Sequence, residues 1–215
     1  MSTALESIQE KIKAELANQP NTVAPPSGRN ISTRGKVFTL PDGTSSQGPL
    51  QAVILDHRNF NRYYTKPYDP QNPAPPDCFA ISKELTTMAP HEDAAEKQAK
   101  SCAECPMNQF GSAANGKGKA CRNTVRLAVA AADATANSEP MILTVSPTGL
   151  KSWHSMVNTL GATGLLPIQV VTEIAFDANA PYPTLTFTAG QAHEDLETFW
   201  QLRDKAQALL DQPPA

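Results

Sequence analysis

The chain has 215 residues, a formal net charge of −3 and four cysteines, a length that suits one substantial hydrophobic core. No apolar run approaches the length of a membrane span, and the N-terminus lacks the charged-then-apolar pattern of a secretion signal. We therefore expect a cytoplasmic protein rather than a membrane or secreted one. The charge is unevenly distributed, since residues 1–126 hold 15 Lys and Arg against 12 Asp and Glu, whereas residues 127–215 hold 3 against 9.

The first 35 residues are predicted to form a helix followed by an arm. Apolar residues recur at helical spacing from Leu5 to Leu16, which indicates an amphipathic helix over 1–18. Proline and glycine are frequent over 19–35, and they interrupt regular structure. We expect this second segment to be a flexible arm that carries Arg29 and Arg34.

Residues 36–190 are predicted to form one α+β domain with a small antiparallel sheet, most specifically an OB-like barrel. Short β-type runs occur at 37–40 and 51–55, which we expect to pair as a hairpin, and at 125–130, 141–145, 168–177 and 184–188. A helix over 147–160, with Ser146 as N-cap, precedes the last two runs. A C-terminal helix and short tail occupy 191–215, and we assign Trp153 and Trp200 to the core.

The segment 57–68 interleaves aromatic residues with cations. Bases stack on aromatic faces while cations follow phosphates, so this composition is typical of a surface that binds single strands. The plainer interpretation is that at least one of these aromatic rings covers the sheet edge. The candidate nucleic-acid-binding residues here are Arg58, Phe60, Arg62, Tyr63, Tyr64, Lys66 and Tyr68.

All four cysteines belong to a long excursion at about 69–122, which contains few large apolar residues and a predicted short helix over 91–99. Cys102 and Cys105 form a C-x2-C pair, and Cys78 and Cys121 lie on either side of it. Four thiolates suit one tetrahedral site, for which Zn²⁺ is our first choice and an iron–sulfur cluster the alternative. Two disulfides are less consistent with a cytoplasmic chain. A redox C-x-x-C is less consistent with a sequence that shows no strand–helix alternation.

The excursion also carries most of the local positive charge. Residues 97–126 contain six Lys and Arg and a single carboxylate, Glu104. Clustering of this kind is expected where a protein meets a polyanion. The candidate phosphate contacts in this part are Lys117, Lys119, Arg122 and Arg126.

These motifs resemble a family of small tailed-bacteriophage and prophage proteins associated with single-stranded DNA binding. The resemblance rests on Cys78, on the Cys102–Pro106 turn followed by Phe110-Gly111-Ser112, and on Gly116-Lys117-Gly118-Lys119 leading to Cys121. The chain also resembles the single-strand binding proteins of T-even phages, in which an excursion stabilised by zinc extends from an OB-fold. These resemblances imply a role in DNA replication or recombination in a bacterial host cell.

The sequence thus predicts a non-enzymatic single-stranded DNA-binding protein. Partners would be single-stranded DNA, phage or host replication proteins, and a second copy of the chain. The alternative is a zinc-containing adaptor for a replication or transcription protein. We do not expect an enzyme, because four thiolates leave a metal no open position, and because Gly118 stands where a P-loop needs Ser or Thr.

Overall fold

The structure is a computed structural model that describes residues 28–67, 69, 71 and 74–214. The predicted N-terminal helix, the first part of the arm (19–27) and Tyr68 lie outside the described residues. In chain order, the described strands and helices are β1 (Asn30–Ile31), β2 (Phe38–Thr39), β3 (Ser45–Ser46), β4 (Leu50–Tyr63), β5 (Cys78–Ser82), β6 (Arg122–Ala131), β7 (Met141–Val145), α1 (Leu150–Ala162), β8 (Val170–Phe176), β9 (Leu185–Ala192) and α2 (Leu196–Leu210).

The strand β4 lies at the centre of the sheet and pairs antiparallel with three other strands. It pairs with β6 over 52–62, and along its other edge with β8 at 50–52 and with β5 at 59–63. The sheet order is β1-β7-β6-β4-β8-β9, and among the described strands only β1 and β7 pair in parallel. The predicted α+β class is confirmed. No pairing among the described strands joins β1 to β9, so the OB-like barrel is not confirmed.

The two helices pack on opposite faces of this sheet. The first face packs Ile54 and Leu127 against Trp153 of α1, and the second packs Val53 and Ala128 against the buried residues of α2. Neighbouring strand residues point to opposite faces, so the run of buried residues at 52–55 supplies both cores at once. A β-bulge between Ile54 and Asp56 ends this apolar run.

Four predicted strands and two predicted helices are confirmed in type, with shifted bounds. The strands β6 and β7 pair, as do β8 and β9, but α1 begins at Leu150 with Gly149 as its N-cap rather than at Ser146. In contrast, Phe38–Thr39 pairs with β3 and not with β4. Trp153 is buried as predicted, whereas Trp200 is 46% exposed because it lies on the outer side of α2.

The end of the predicted arm belongs to the sheet. Asn30 and Ile31 form β1 beside β7, and the side chain of Ile31 is buried in the core. Arg29 makes a 2.6 Å ion pair with Glu139. The flexible arm predicted for 19–35 is therefore wrong for these residues.

A buried carboxylate, Asp56, joins α2 to β4. Its side chain accepts from Arg203 at 3.2 Å and lies 3.4 Å from Lys83 and 3.6 Å from Arg58. Burial alone would raise the pKa of Asp56, but the amide of His57, Lys83 and Arg203 together lower it. This carboxylate thus stabilises three cations that would otherwise repel one another.

We predict that Asp56→Asn lowers the free energy of unfolding by about 3 kcal/mol, because breaking a buried ion pair leaves uncompensated charges. The stabilisation should be complete above the ordinary aspartate pKa and should disappear as the pH falls through the lowered pKa of the folded state. Urea unfolding at pH 7 and at pH 3 measures both effects. The exposed pair Arg29–Glu139 is the control, since Glu139→Gln should cost under about 1 kcal/mol. Equal losses for the two variants would contradict this account.

Candidate nucleic-acid interface and thiol cavity

The strands β4 and β6 carry two pairs of arginines, and the two arginines of each pair lie directly opposite each other. The register places Arg58 beside Arg126 and Arg62 beside Arg122. Directly opposite residues of antiparallel strands share a face, and so do residues two positions apart. Both pairs therefore lie on the face of the sheet that α2 covers, and they continue this face beyond the bulge.

The pair Arg58–Arg126 is compensated within the protein. Arg58 donates to both carboxylate oxygens of Asp211, at 2.7 and 3.1 Å. Arg126 donates to the carbonyl oxygen of Gln212 at 2.5 Å, and its guanidinium lies 3.7 Å from the centre of the Phe60 ring. Burial, together with the charge of Arg62, lowers the pKa of Arg126 to about 10. Both arginines were predicted to contact phosphates, but the segment after α2 occupies them.

Phe60 is also placed differently from the prediction. Its side chain is only 2% exposed and packs with Phe79 and Ala94. A base cannot stack on a ring that is covered on both sides. The stacking role predicted for Phe60 is therefore wrong, because β4 runs through 57–63 and turns this residue inward.

The pair Arg62–Arg122 instead lines a cleft of about 760 Å³, here called the arginine cleft. Arg34 is the third cation of its lining. No carboxylate of the described residues lines this cleft or pairs with any of the three arginines. The remaining polar lining consists mainly of hydroxyls, from Ser32, Thr33, Thr124, Thr144, Ser146 and Thr148.

The Arg62 side chain is partly buried in this wall. Its Nε is buried and has no hydrogen-bond partner among the described residues. Its guanidinium lies 4.9 Å from the centre of the Phe60 ring and interacts with the Tyr64 hydroxyl. Burial lowers the pKa of Arg62, the Tyr64 hydroxyl partly opposes this, and the nearby charge of Arg122 lowers it further. Arg62 is thus held in place without an anion beside it.

A second cleft, of about 570 Å³, continues from the first and is here called the loop cleft. It shares Arg122 and Pro147 with the arginine cleft and adds Lys119 and Phe110. The ring of Phe110 is 81% exposed, and Lys119 Nζ lies 5.2 Å from its centre. Tyr182, which is 66% exposed, lines the arginine cleft. The joined clefts therefore combine cations with two accessible aromatic rings.

Sequence reasoning missed three of these residues as candidates: Arg34, Phe110 and Tyr182. Arg34 was assigned to the arm, but Lys36 ties its turn to the carbonyls of Asp177 and Ala180, at 3.1 and 2.6 Å. This contact joins the turn that carries Arg34 to the loop that precedes Tyr182. The Phe110-Gly111-Ser112 motif was a signal for Phe110, whereas nothing local to Tyr182 marked it.

The other predicted contacts do not line either cleft. Tyr63 is half-buried beside the thiols, Tyr64 is 43% exposed, and Lys66 and Lys117 are exposed. Tyr68 lies outside the described residues. Of the predicted set, the clefts therefore bring together Arg62, Lys119 and Arg122.

All four cysteines are free, buried and line one cavity of about 20 Å³. Cys78 begins β5 and Cys121 directly precedes β6. Cys102 donates its amide to the carbonyl of Met88 at 2.9 Å, and Cys121 donates its amide to that of Met107 at 2.8 Å. The sheet and these loop hydrogen bonds thus gather cysteines that are up to 43 positions apart in the chain.

The surroundings of the thiol cavity disfavour the ionised, thiolate form of its cysteines. Burial, reinforced by the neighbouring thiols, raises the pKa of Cys102 to about 11 and that of Cys121 to about 12. Among the described residues, no three His, Cys, Asp or Glu side chains already stand as a metal ligand set.

The excursion around the thiols has little regular structure. The helix predicted over 91–99 is wrong, since this stretch forms turns. His91 is half-buried and stacks on Phe79 with ring centres 4.9 Å apart. Among the described residues, the apolar clusters of this region are small, such as that of Ala80 with Met88 and Cys102.

Comparison of the chain with protein-family models, curated proteins and solved structures finds no match. The resemblance to phage single-strand binding proteins therefore stays a prediction. Neither helix in the described part of the chain has the length and apolarity needed to cross a membrane.

We predict that Phe60→Ala lowers the free energy of unfolding by about 3–5 kcal/mol, the usual cost of removing a buried aromatic side chain. Tyr64 directly follows β4 and is largely solvated, so Tyr64→Ala should lower the free energy of unfolding by less than about 1 kcal/mol. Chemical denaturation of both variants gives the comparison. A stability of Phe60→Ala close to that of the unmodified protein would show that this ring is accessible after all.

Proposed function

We propose that the protein is a non-enzymatic single-stranded DNA-binding protein whose strand lies along the joined arginine and loop clefts. The observation that carries this proposal is the combination in one continuous surface of Arg34, Arg62, Arg122 and Lys119 with no carboxylate among its lining. Contacts between such cations and the phosphates supply much of a protein's affinity for nucleic acid. The surface differs from the one predicted from sequence, which was centred on 57–68.

The two accessible rings favour an unpaired strand over a duplex. Phe110 and Tyr182 have 81% and 66% of their surface exposed, and bases can stack on them only when they are not stacked in a duplex. Stacking of this kind tolerates any base. The hydroxyls of the arginine cleft are suited to phosphate oxygens and carry no base readout. We therefore expect weak sequence preference.

A single zinc ion is the cofactor that we propose for the thiol cavity. Cys78, Cys102, Cys105 and Cys121 would hold it, which would close the site and give it a structural role. The cavity has room for about one water-sized sphere, which suits one ion better than an iron–sulfur cluster of several atoms. A cation would also offset the cost of the buried thiolates.

The proposed ion and the proposed DNA site are linked through the chain. Phe110 and Lys119 lie between Cys105 and Cys121, and Arg122 directly follows Cys121. A metal bound at both ends of this loop would restrict its movement, in a region where the apolar clusters are small. The thiol cavity would thus position one wall of the loop cleft.

DNA binding is tested by titrating a labelled oligothymidine with the protein and following fluorescence anisotropy. We predict that the dissociation constant rises steeply with salt, and that Phe110→Ala weakens binding by about 1–3 kcal/mol. Trp200→Ala is the matched control, because Trp200 is an exposed ring on α2 that lines neither cleft. No binding, or binding that is insensitive to salt, would refute the proposal and leave the adaptor alternative.

Metal content is tested on protein purified without added zinc. We predict about one zinc per chain by elemental analysis, and loss of the metal in Cys121→Ser. His91→Ala should retain the metal, since His91 does not line the thiol cavity. Chelation should make the 102–121 loop sensitive to proteolysis while leaving the sheet folded. Zinc content that is unchanged in Cys121→Ser would rule out this site.

A further inference from the structure

The two opposed arginine pairs allow a comparison within one sheet. Like charges directly opposite each other on neighbouring strands are destabilising. At the pair Arg58–Arg126, the protein offsets this repulsion with the carboxylate of Asp211, which accepts two hydrogen bonds from Arg58. The first pair therefore shows what such a pair needs on this face, which is an oxyanion.

The pair Arg62–Arg122 has the same cross-strand arrangement four positions farther along β4. Among the described residues it has no carboxylate within ion-pair distance. Arg34 adds a third positive charge to the same cleft. In addition, Nε of Arg62 is buried without a hydrogen-bond partner in this part of the chain. An anion in the cleft would offset the repulsion.

The chemistry of the lining selects the class of anion. Guanidinium groups pair with oxyanions through two parallel hydrogen bonds. Thr144 stands on β7, on the same face as the arginines, and lines the cleft, as does Ser146, whereas the Thr124 hydroxyl already donates to the carbonyl of Phe60 at 2.7 Å. Three guanidinium groups and several hydroxyls offer more donors than the two oxygens of a carboxylate can use. A tetrahedral phosphate, with more oxygens, matches them better.

We infer that Arg34, Arg62 and Arg122 form a discrete phosphate site, which holds one phosphate group between the opposed arginines. This inference deepens the proposed function. The phosphate site itself stands on the arginines, and only the assignment of its phosphate to a bound strand rests on the proposed function. The cleft would then contain a preferred phosphate position and not merely a diffuse positive surface. Free phosphate and a phosphate of the strand share this chemistry.

The site is tested with inorganic phosphate in the absence of nucleic acid. At constant ionic strength set with chloride, phosphate should raise the melting temperature of the full chain along a saturable curve. Arg122→Gln should abolish this increase, while its melting temperature without phosphate should not fall, since the repulsion is relieved. Lys97→Gln is the charge-matched control and should keep the full response. Equal effects of phosphate and chloride on the unmodified protein would overturn the inference.

Two further measurements secure the interpretation. Arg34→Gln, on an exposed turn, should also lose the phosphate response, so the result does not depend on how well Arg122→Gln folds; a full response in both variants would overturn the site. Oligothymidine with a 5′-phosphate that binds tighter than the 5′-hydroxyl form assigns the site to a strand end, whereas equal affinity with competition by phosphate assigns it to an internal phosphate. A phosphate response without oligonucleotide binding would refute the proposed function alone, and oligonucleotide binding without a phosphate response would refute this site alone.

Discussion

The antiparallel register between β4 and β6 is the constraint on which the other features of this protein depend. It places Arg58 against Arg126 and Arg62 against Arg122 on one face, and it brings Cys121 to the sheet next to Arg122. Because side chains alternate between the faces of a sheet, a shift of one residue would send the arginines to the opposite face. The bulge after Ile54 is part of this register, since it ends the apolar run and begins the charged one.

Electrostatic compensation divides this charged face into two parts. Near α2, the carboxylates of Asp56 and Asp211 neutralise the cations around them. Farther from α2, no carboxylate of the described residues reaches Arg62 or Arg122, and the face opens into the arginine cleft. The positive charge available to a ligand is therefore decided by where the acidic partners end, and not by how many arginines the strand carries.

The segment from Cys105 to Arg122 contributes to both the thiol cavity and the loop cleft. The loop between Cys105 and Cys121 has no strand or α-helix, and its backbone is held by hydrogen bonds such as that from Gly111 to the carbonyl of Gly118 at 2.9 Å. Such a loop gains little from hydrophobic burial, so a metal would contribute much of its order. This physical link explains why a structural metal site and a binding surface would occur together.

Much of the fold could be predicted because its signals are local. Alternating apolar residues marked β6 and β8, and the helical stripe around Trp153 marked α1, since each pattern reports one element's own periodicity. The extension of β4 through Arg58 and Arg62 could not be predicted in this way, because its polar residues are accommodated by pairing on both edges and by partners far away in the chain. Trp200 lies on a helical stripe like that of Trp153, yet only the position of α2 leaves it exposed.

The sequence by itself determined the α+β class, the grouping of four thiols in one apolar-poor excursion and the excess of cations beside them, because composition and spacing are properties of the chain alone. Only the tertiary structure decided which of those cations remain available. Arg58 and Arg126 are paired with Asp211 and Gln212, residues 153 and 86 positions away, whereas Arg34 joins Arg62 and Arg122 across the sheet. Charge compensation depends on distances in space, and these distances are set by strand register and helix packing.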